Sequence, residues 1–500
     1  MTRKKNENFE NQAEKKSRLA NFPKALFFIL AILLFPRVVS AEILTLSDAL
    51  EMAMKNNLSI QRSQAELEEA TAVKKSVRGK FGPSLKVEGN ILRWDDSYEL
   101  DPMDYVVLKP KYASLTQRAL DLVLEPIQPI ELRSSETREL SLTLMQPITP
   151  LFSVYHGYQA GRAGENARTD LFERTRREVA YKTIENYFLL LKVQELERVA
   201  QSAVDTISAH VDQAMEFYRA EFIGKNEILT AEVKLANARQ MLIRAQSGVA
   251  LMRSVLANIV GLPVDFDIQV KSVDFEHAKD WNVSLSESRK RALQNRKDLS
   301  ALTQKAKAAK AVGKISWWNL TPQLAAIGRW QYTEGIMLSQ EEERFVGLAL
   351  KWDLWNWGSN YYEAQAENAK SRQVDIRKRE VQNLIRLEVQ KCYLAWTSAD
   401  QRVEASRKAV DQAQENLRIQ QLRFKENMAT SVDVLDAQTL GVKAKSDHIS
   451  ARYDLLTSIY SLYLAIGESP VLSEEPLKAS SLDRAPIGNI DRQAVKESRK

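Results

Sequence analysis

Two aspartates, Asp433 and Asp436, lie three residues apart in the run Thr430-Ser431-Val432-Asp433-Val434-Leu435-Asp436-Ala437. On a helix that spacing puts both carboxylates on one face, where they can attract or bind cations. As residues of a helix start they would also be favoured by the helix dipole, and the two roles are compatible. A third acid, Glu227, stands 206 residues before Asp433 in a similar setting. No nucleophile–base pair accompanies them, so an enzyme finds little to work with. The four histidines (156, 210, 277 and 448) are scattered without ligand spacing, so no metal or other cofactor is expected. Cys392 is the only cysteine, which rules out an intrachain disulfide, and its helical setting reads as a buried, inert thiol.

The elements that must position these acids occur twice. Residues 206 apart correspond over a long stretch: Leu142 with Leu348, Gln159 with Gln365, Tyr187 with Tyr393, Leu229 with Leu435, Gly261 with Gly467. Nearer the start of each copy the offset is 239, pairing Leu46 with Leu285, Pro83 with Pro322 and Gly89 with Gly328. The 33-residue difference falls between Gly89 and Leu142, so the first copy carries a longer loop there. A period this large exceeds the roughly 20–50 residues of solenoid units. The first copy spans 42–262, the second 285–467, and 263–284 reads as a connector.

Each copy opens with a helix, for which Ser47 and Ser286 are expected to provide a hydroxyl cap ahead of Asp48 and Glu287. Helical pattern runs to about Lys80 and about Ser316, after which Pro83 and Pro322 introduce a period of two. Strands are predicted over about 83–93 and 138–148 in copy one, and about 322–332 and 344–354 in copy two. Val346, Leu348, Leu350 and Trp352 alternate with Gly347, Ala349, Lys351 and Asp353; Leu85, Val87 and Ile91 alternate with Lys86, Glu88 and Asn90. Runs of this length, apolar on one face and polar on the other, fit transmembrane β-strands. Seven of the nine tryptophans lie in or beside them, and Trp94, Trp330, Trp352, Trp355 and Trp357 are candidates for an aromatic girdle at the lipid boundary. A soluble sandwich with a tryptophan-rich core is the plainer alternative, but no further strands exist to cover the other face.

Beyond each strand pair comes a long helical stretch, about 155–222 and about 360–427, on the order of 100 Å each. A short turn leads into a return helix, about 226–260 and about 431–466. Ile228, Leu235, Leu242, Val249 and Leu256 recur every seven residues in one return; Leu435, Val442, Ile449, Leu456 and Tyr463 do so in the other. That period implies coiled-coil packing. Ala231, Ala238 and Ala245 follow three residues later in the first, and Ala437, Ala444 and Ala451 two residues later in the second, which permits close neighbours on a second side. Gly261 and Gly467 supply the helix stops.

Residues 1–41 read as a secretory signal, with basic residues, an apolar run from Ala25 to Phe35 and small residues at Val39-Ser40-Ala41. Of 71 Lys/Arg and 65 Asp/Glu, eight and three lie in that segment, leaving 63 basic and 62 acidic side chains. A balance this even, without a basic patch, gives no reason to expect nucleic acid. No cysteine follows the segment to take a lipid anchor. The loop from about Asp95 to Thr137 has no assigned structure, and 468–500 reads as a loose charged tail.

The fold class that results is an α+β membrane protein with four transmembrane strands per chain. Four strands cannot close a barrel, and an open edge in lipid leaves backbone groups unsatisfied at several kcal/mol each. Three chains would supply twelve strands, continued by a helical coiled-coil tube.

The order helix, strand, strand, long helix, return helix, twice over, resembles the TolC family of outer-membrane efflux channels across roughly 44–467. The sharpest motif is Phe424…Thr430-Ser431-Val432-Asp433-Val434-Leu435-Asp436-Ala437, with Asn226-Glu227-Ile228-Leu229-Thr230-Ala231 as its partner. The resemblance implies a homotrimer in outer-membrane lipid, a twelve-stranded barrel, and a periplasmic tunnel closed at its inner end. It also implies a periplasmic adaptor and an inner-membrane transporter as partners. Asp433 and Asp436, with Glu227, match the family's acidic ring at the periplasmic aperture. Phe222, Gly224, Asn427 and Thr430 fall in the turns where an adaptor would dock. Ala429 and Phe424 stand where the family's best-studied latch uses an arginine and a tyrosine, so closure must rest on other contacts. A periplasmic coiled-coil scaffold or adaptor without a pore is the rival reading; within export, drug or metal efflux and type I secretion remain open.

Overall fold

The computed structural model describes residues 43–101, 129–272 and 283–468. The expected signal, nearly all of the expected tail, and the middle of both the long loop and the connector lie outside the described residues.

Copy one runs β1 (Ile43–Leu44), α1 (Leu46–Asn56), α2 (Leu58–Gly79), β2 (Ser84–Arg93), β3 (Tyr98–Leu100), β4 (Ile130–Pro147), α3 (Pro150–Arg219) and α4 (Lys225–Val260). After β5 (Gln269–Val270), copy two runs α5 (Leu285–Asn295), α6 (Lys297–Trp318), β6 (Gln323–Ile336), β7 (Glu342–Lys351), α7 (Ser359–Lys425) and α8 (Ser431–Ile466).

The expected opening helix of each copy is broken in two. Asn57 and Arg296, 239 residues apart, both take extended backbone at the break. Neither glycine nor proline marks the spot; tertiary contacts do. Asn57 Nδ2 donates to the Ile259 carbonyl at 2.9 Å, and Arg296 Nη1 to the Ala465 carbonyl at 3.3 Å. Each break thus receives the end of its own return helix. Gly261 and Gly467 end those helices in left-handed conformation. A Cβ on Gly261 would fall 2.5 Å from the Asn56 Cβ, and one on Gly467 would fall 2.9 Å from the Arg296 amide nitrogen. The caps also differ from expectation. Thr45 and Ser284, not Ser47 and Ser286, accept from the N–H groups of Asp48 and Glu287, because each stands three residues before its acid.

The main sheet is antiparallel in the order β2-β4-β6-β7, with β3 pairing on β4. The second strand of copy one pairs directly with the first strand of copy two, Leu142 facing Trp330. β4 begins at Ile130, eight residues before the expected 138, and its register against β6 is irregular between Arg133 and Arg138. β7 ends at Lys351, so Trp352 lies beyond the strand. Alternation is otherwise as the residues suggest: Leu85, Val87, Ile91, Leu140, Leu142, Leu144, Val346, Leu348 and Leu350 are exposed, while Thr137, Ser141 and Thr333 are buried. The outer edges of β2 and β7 have no partner among the described residues.

The long helices have 70 and 67 residues, or on the order of 100 Å each. α3 starts at Pro150, five residues earlier than expected, because proline at the first helical position lacks only an N–H that would have no partner there. α3 is central, packing on α2, α4, α6 and α8. α7 lies at the margin, and Ile376, Leu384, Leu387 and Leu394 are exposed along it.

There is no single core. The largest cluster, around Leu50, Ile184, Tyr187, Phe188 and Leu256, forms where α1 packs on α3 and α4. Beside it, Tyr187 reaches the β1–β5 pair, its hydroxyl 3.0 Å from the Leu44 carbonyl and 2.7 Å from that of Lys271. A second cluster around Ile385, Val389 and Leu462 is the copy-two counterpart. A third, with Ile207, Val211, Ala231, Leu235 and Leu435, lies near the far ends of α3 and α4.

Candidate functional site at the helix turns

The 70 helical residues of α3 separate its strand end from its far turn, on the order of 100 Å. There each copy makes a tight reversal. Glu221 and Asn427 occupy the left-handed region, with φ of 61° and 57°. Phe222 N–H returns to the Phe217 carbonyl at 2.9 Å, and Met428 N–H to that of Arg423 at 2.7 Å. The two turns are built alike, and both present exposed apolar tips, Phe222 and Met428.

The helix starts that follow are built differently. Thr430 caps α8 through a full capping box with Asp433. The Asp433 carboxylate accepts from Thr430 N–H and from the Thr430 hydroxyl, both at 2.8 Å. Those bonds hold it below the usual carboxylate range. The helix-start role is therefore seen directly for Asp433. Gly224 begins α4 with no side-chain cap. Glu227, the counterpart of Asp433, does not fold back on its own helix. Its Oε2 accepts from Ser431 N–H at 3.0 Å, so an acid of copy one satisfies the first free N–H of α8 in copy two.

Ser431 is fixed a second time. Its hydroxyl lies 2.7 Å from His210 Nε2, and both residues are buried. His210 packs against the ring of Phe424 at 4.9 Å between centroids, and Phe424 stacks on Phe217 at 5.2 Å. Burial lowers the proton affinity of His210, and the charge of Glu227 partly restores it. One step along, Asp436 Oδ1 meets Lys234 Nζ at 3.2 Å, again joining α4 to α8. Three cross-copy links thus converge on the start of α8.

Glu227, Asp433 and Asp436 accordingly come together at one end of the molecule, with Phe222, Gly224, Asn427 and Thr430 in the same two turns. The five candidate girdle tryptophans lie at the other end, at several levels. Trp94 bonds Thr137 through Nε1 at 3.1 Å and faces Arg133 at 3.9 Å. Trp330 sits mid-strand, opposite Leu142 and Arg344. Trp352 donates to the Leu320 carbonyl at 3.2 Å, and Trp355 and Trp357, both exposed, meet edge to face nearby.

The roles of His210, Ser431 and Lys234 at this site have no local sequence signal. Phe424, which by type only lacks a hydroxyl, fills the stack under His210. Among the described residues no cluster of His, Cys, Asp and Glu could hold a metal ion, and no helix is long and apolar enough to cross a membrane. Cys392 is half-buried, with burial pushing its thiol up.

A sheet with one bare apolar face, carried on two helices on the order of 100 Å long, is the subunit architecture of an outer-membrane channel with a helical tunnel. The chain belongs to the outer membrane efflux protein family, whose model matches residues 49–262 and 289–468. Its place is the outer membrane, with the helices in the periplasm, and the family is one of channels, not enzymes. Among solved structures it is similar in fold to the outer-membrane channel OprN, with 16% identity over 84% of this chain and 89% of that one and a TM-score of 0.70. The outer membrane protein VceC of Vibrio cholerae matches at 15% identity over 85% and 96%, TM-score 0.69. The CmeC outer membrane channel of Campylobacter jejuni matches at 14% over 84% and 85%, TM-score 0.71. No curated protein sequence matches the chain.

Proposed function

We propose that three copies of this chain form the exit duct of a tripartite efflux system, a passive conduit gated at its periplasmic end. One observation carries the reading: among the described residues the sheet ends on two unpaired edges, β2 and β7, beneath an exposed apolar face. In lipid those edges must be paired. Three sheets joined β7 to β2 give twelve strands and no edge, within the size range of outer-membrane barrels. The exposed apolar residues of α7 then pack on a neighbouring chain, extending the barrel as a helical tube.

At the inner mouth, Asp433 and Asp436 from three chains, with Glu227, form an acidic ring that favours cations. The turns bearing Phe222, Gly224, Asn427 and Thr430 are the docking points for a periplasmic adaptor, which couples the duct to an inner-membrane transporter. Trp94, Trp352, Trp355 and Trp357 lie at the lipid boundary, and Trp330 faces the bilayer between them. The channel is shared plumbing, so type I secretion would use the same design.

Native mass spectrometry of the detergent-extracted protein tests the assembly. A trimer is expected. A stable monomer extractable without detergent would instead support a periplasmic scaffold.

A further inference from the structure

The start of α8 is held to the α3–α4 hairpin by a buried histidine, and the elements around that histidine leave it one anionic neighbour. α8 presents Ser431, while Asp433 is turned into its own cap on Thr430. α7 presents Phe424, with Arg423 donating to the Met428 carbonyl and Lys425 and Glu426 exposed. α4 presents Glu227, and its next cation, Lys234, is taken by Asp436. On α3 itself, Asp212 and Glu216 are exposed.

We propose that His210 is a proton-responsive clasp, which in its neutral form holds the N-terminus of α8 against the α3–α4 hairpin and on protonation lets it go. Three physical effects set the direction. An imidazolium at Ser431 would face the positive end of the α8 dipole and its free N–H groups. It would be buried among Phe424, Phe217 and the apolar cluster of Val211 and Leu435, where charge is disfavoured. Its one nearby anion is Glu227, and pairing with it draws the carboxylate off Ser431 N–H, undoing the other link. The Phe424 ring, tilted at 54° against the imidazole, works the other way and offsets part of that cost. Because burial holds His210 below the ordinary histidine range, the clasp is complete above that range. It is lost as pH falls through the lowered value. As a gate the clasp rests on the channel proposal; as a contact it does not.

The test uses the full-length protein with Cys392→Ser and spin labels on Phe222→Cys and Met428→Cys, one in each turn. Their separation is measured by electron double resonance in steps from about pH 7.5 down to about pH 4, so that the series passes below the ordinary histidine range. The clasp predicts that the separation lengthens and broadens in acid. His210→Gln, which can bond Ser431 but cannot take up charge, should stay short throughout the series. Ser431→Ala should be long already at neutral pH and respond no further. An unchanged separation in the labelled parent, or an equal acid response in His210→Gln or Ser431→Ala, overturns the proposal. This readout needs no pore, so a failure to conduct bears on the channel reading alone.

Discussion

Glu227 Oε2 accepts the Ser431 N–H at 3.0 Å, whereas its repeat counterpart, Asp433, turns back to cap its own helix through Thr430. One extra methylene and the absence of a capping hydroxyl at Gly224 convert an intrahelical cap into a bond between the copies. If that bond holds the inner mouth closed, Glu227→Ala should raise the conductance of the closed channel. Glu227→Gln, whose amide oxygen can still accept, should change it far less. Single-channel recording compares the two; equal effects would assign the role to charge instead of to the bond.

The Lys234–Asp436 pair makes a prediction about cations. Lys234 neutralises one carboxylate of each chain's acidic set. Lys234→Met should therefore strengthen divalent block, by about five-fold if the partial relief is worth the ~1 kcal/mol between unit charges at ~4 Å in water. Asp436→Asn should weaken it. Titrating block against cation concentration checks both directions.

Gly467 and Gly248 are glycines of opposite kinds. Gly467 is left-handed and docks on the Arg296 backbone, so Gly467→Ala should cost about 1–3 kcal/mol. Gly248 lies inside α4 with nothing within 4 Å of a Cβ, so Gly248→Ala should gain up to about 1 kcal/mol. Thermal unfolding midpoints in detergent should move in opposite directions.

Beyond the Glu342–Arg344 pair at its start, the exposed face of β7 is apolar through Val346, Leu348 and Leu350, and that stretch should tolerate no charge. Leu348→Arg should cost about 2–4 kcal/mol if that residue meets lipid near mid-bilayer. Thr143→Arg, on the opposite face of β4, should be accepted. The fraction of each variant that resists alkaline extraction from membranes separates the outcomes.

Much of this design is legible in the residues, and the remainder has identifiable causes. β2 and β7 show themselves because an uncovered apolar face produces plain alternation. α8 is readable at both ends, since Thr430, Asp433 and Gly467 are local signals. The break at Asn57 and Arg296 carries no local signal, because it is imposed by the incoming ends of α4 and α8. The links made by His210, Ser431 and Lys234 span more than 200 residues and depend on how the two copies pack, which no repeat pattern records. Phe424 shows the same limit: its type reports what it cannot do, and its partners report what it does.

Planar-bilayer recording of the detergent-extracted protein tests the central claim most directly. The account predicts small cation-selective conductance steps from a trimer. These should enlarge in Glu227→Ala, and divalent block should weaken when Asp433 and Asp436 are both replaced by alanine. A stable trimer that never conducts, either as the native protein or with all three substitutions, would contradict it.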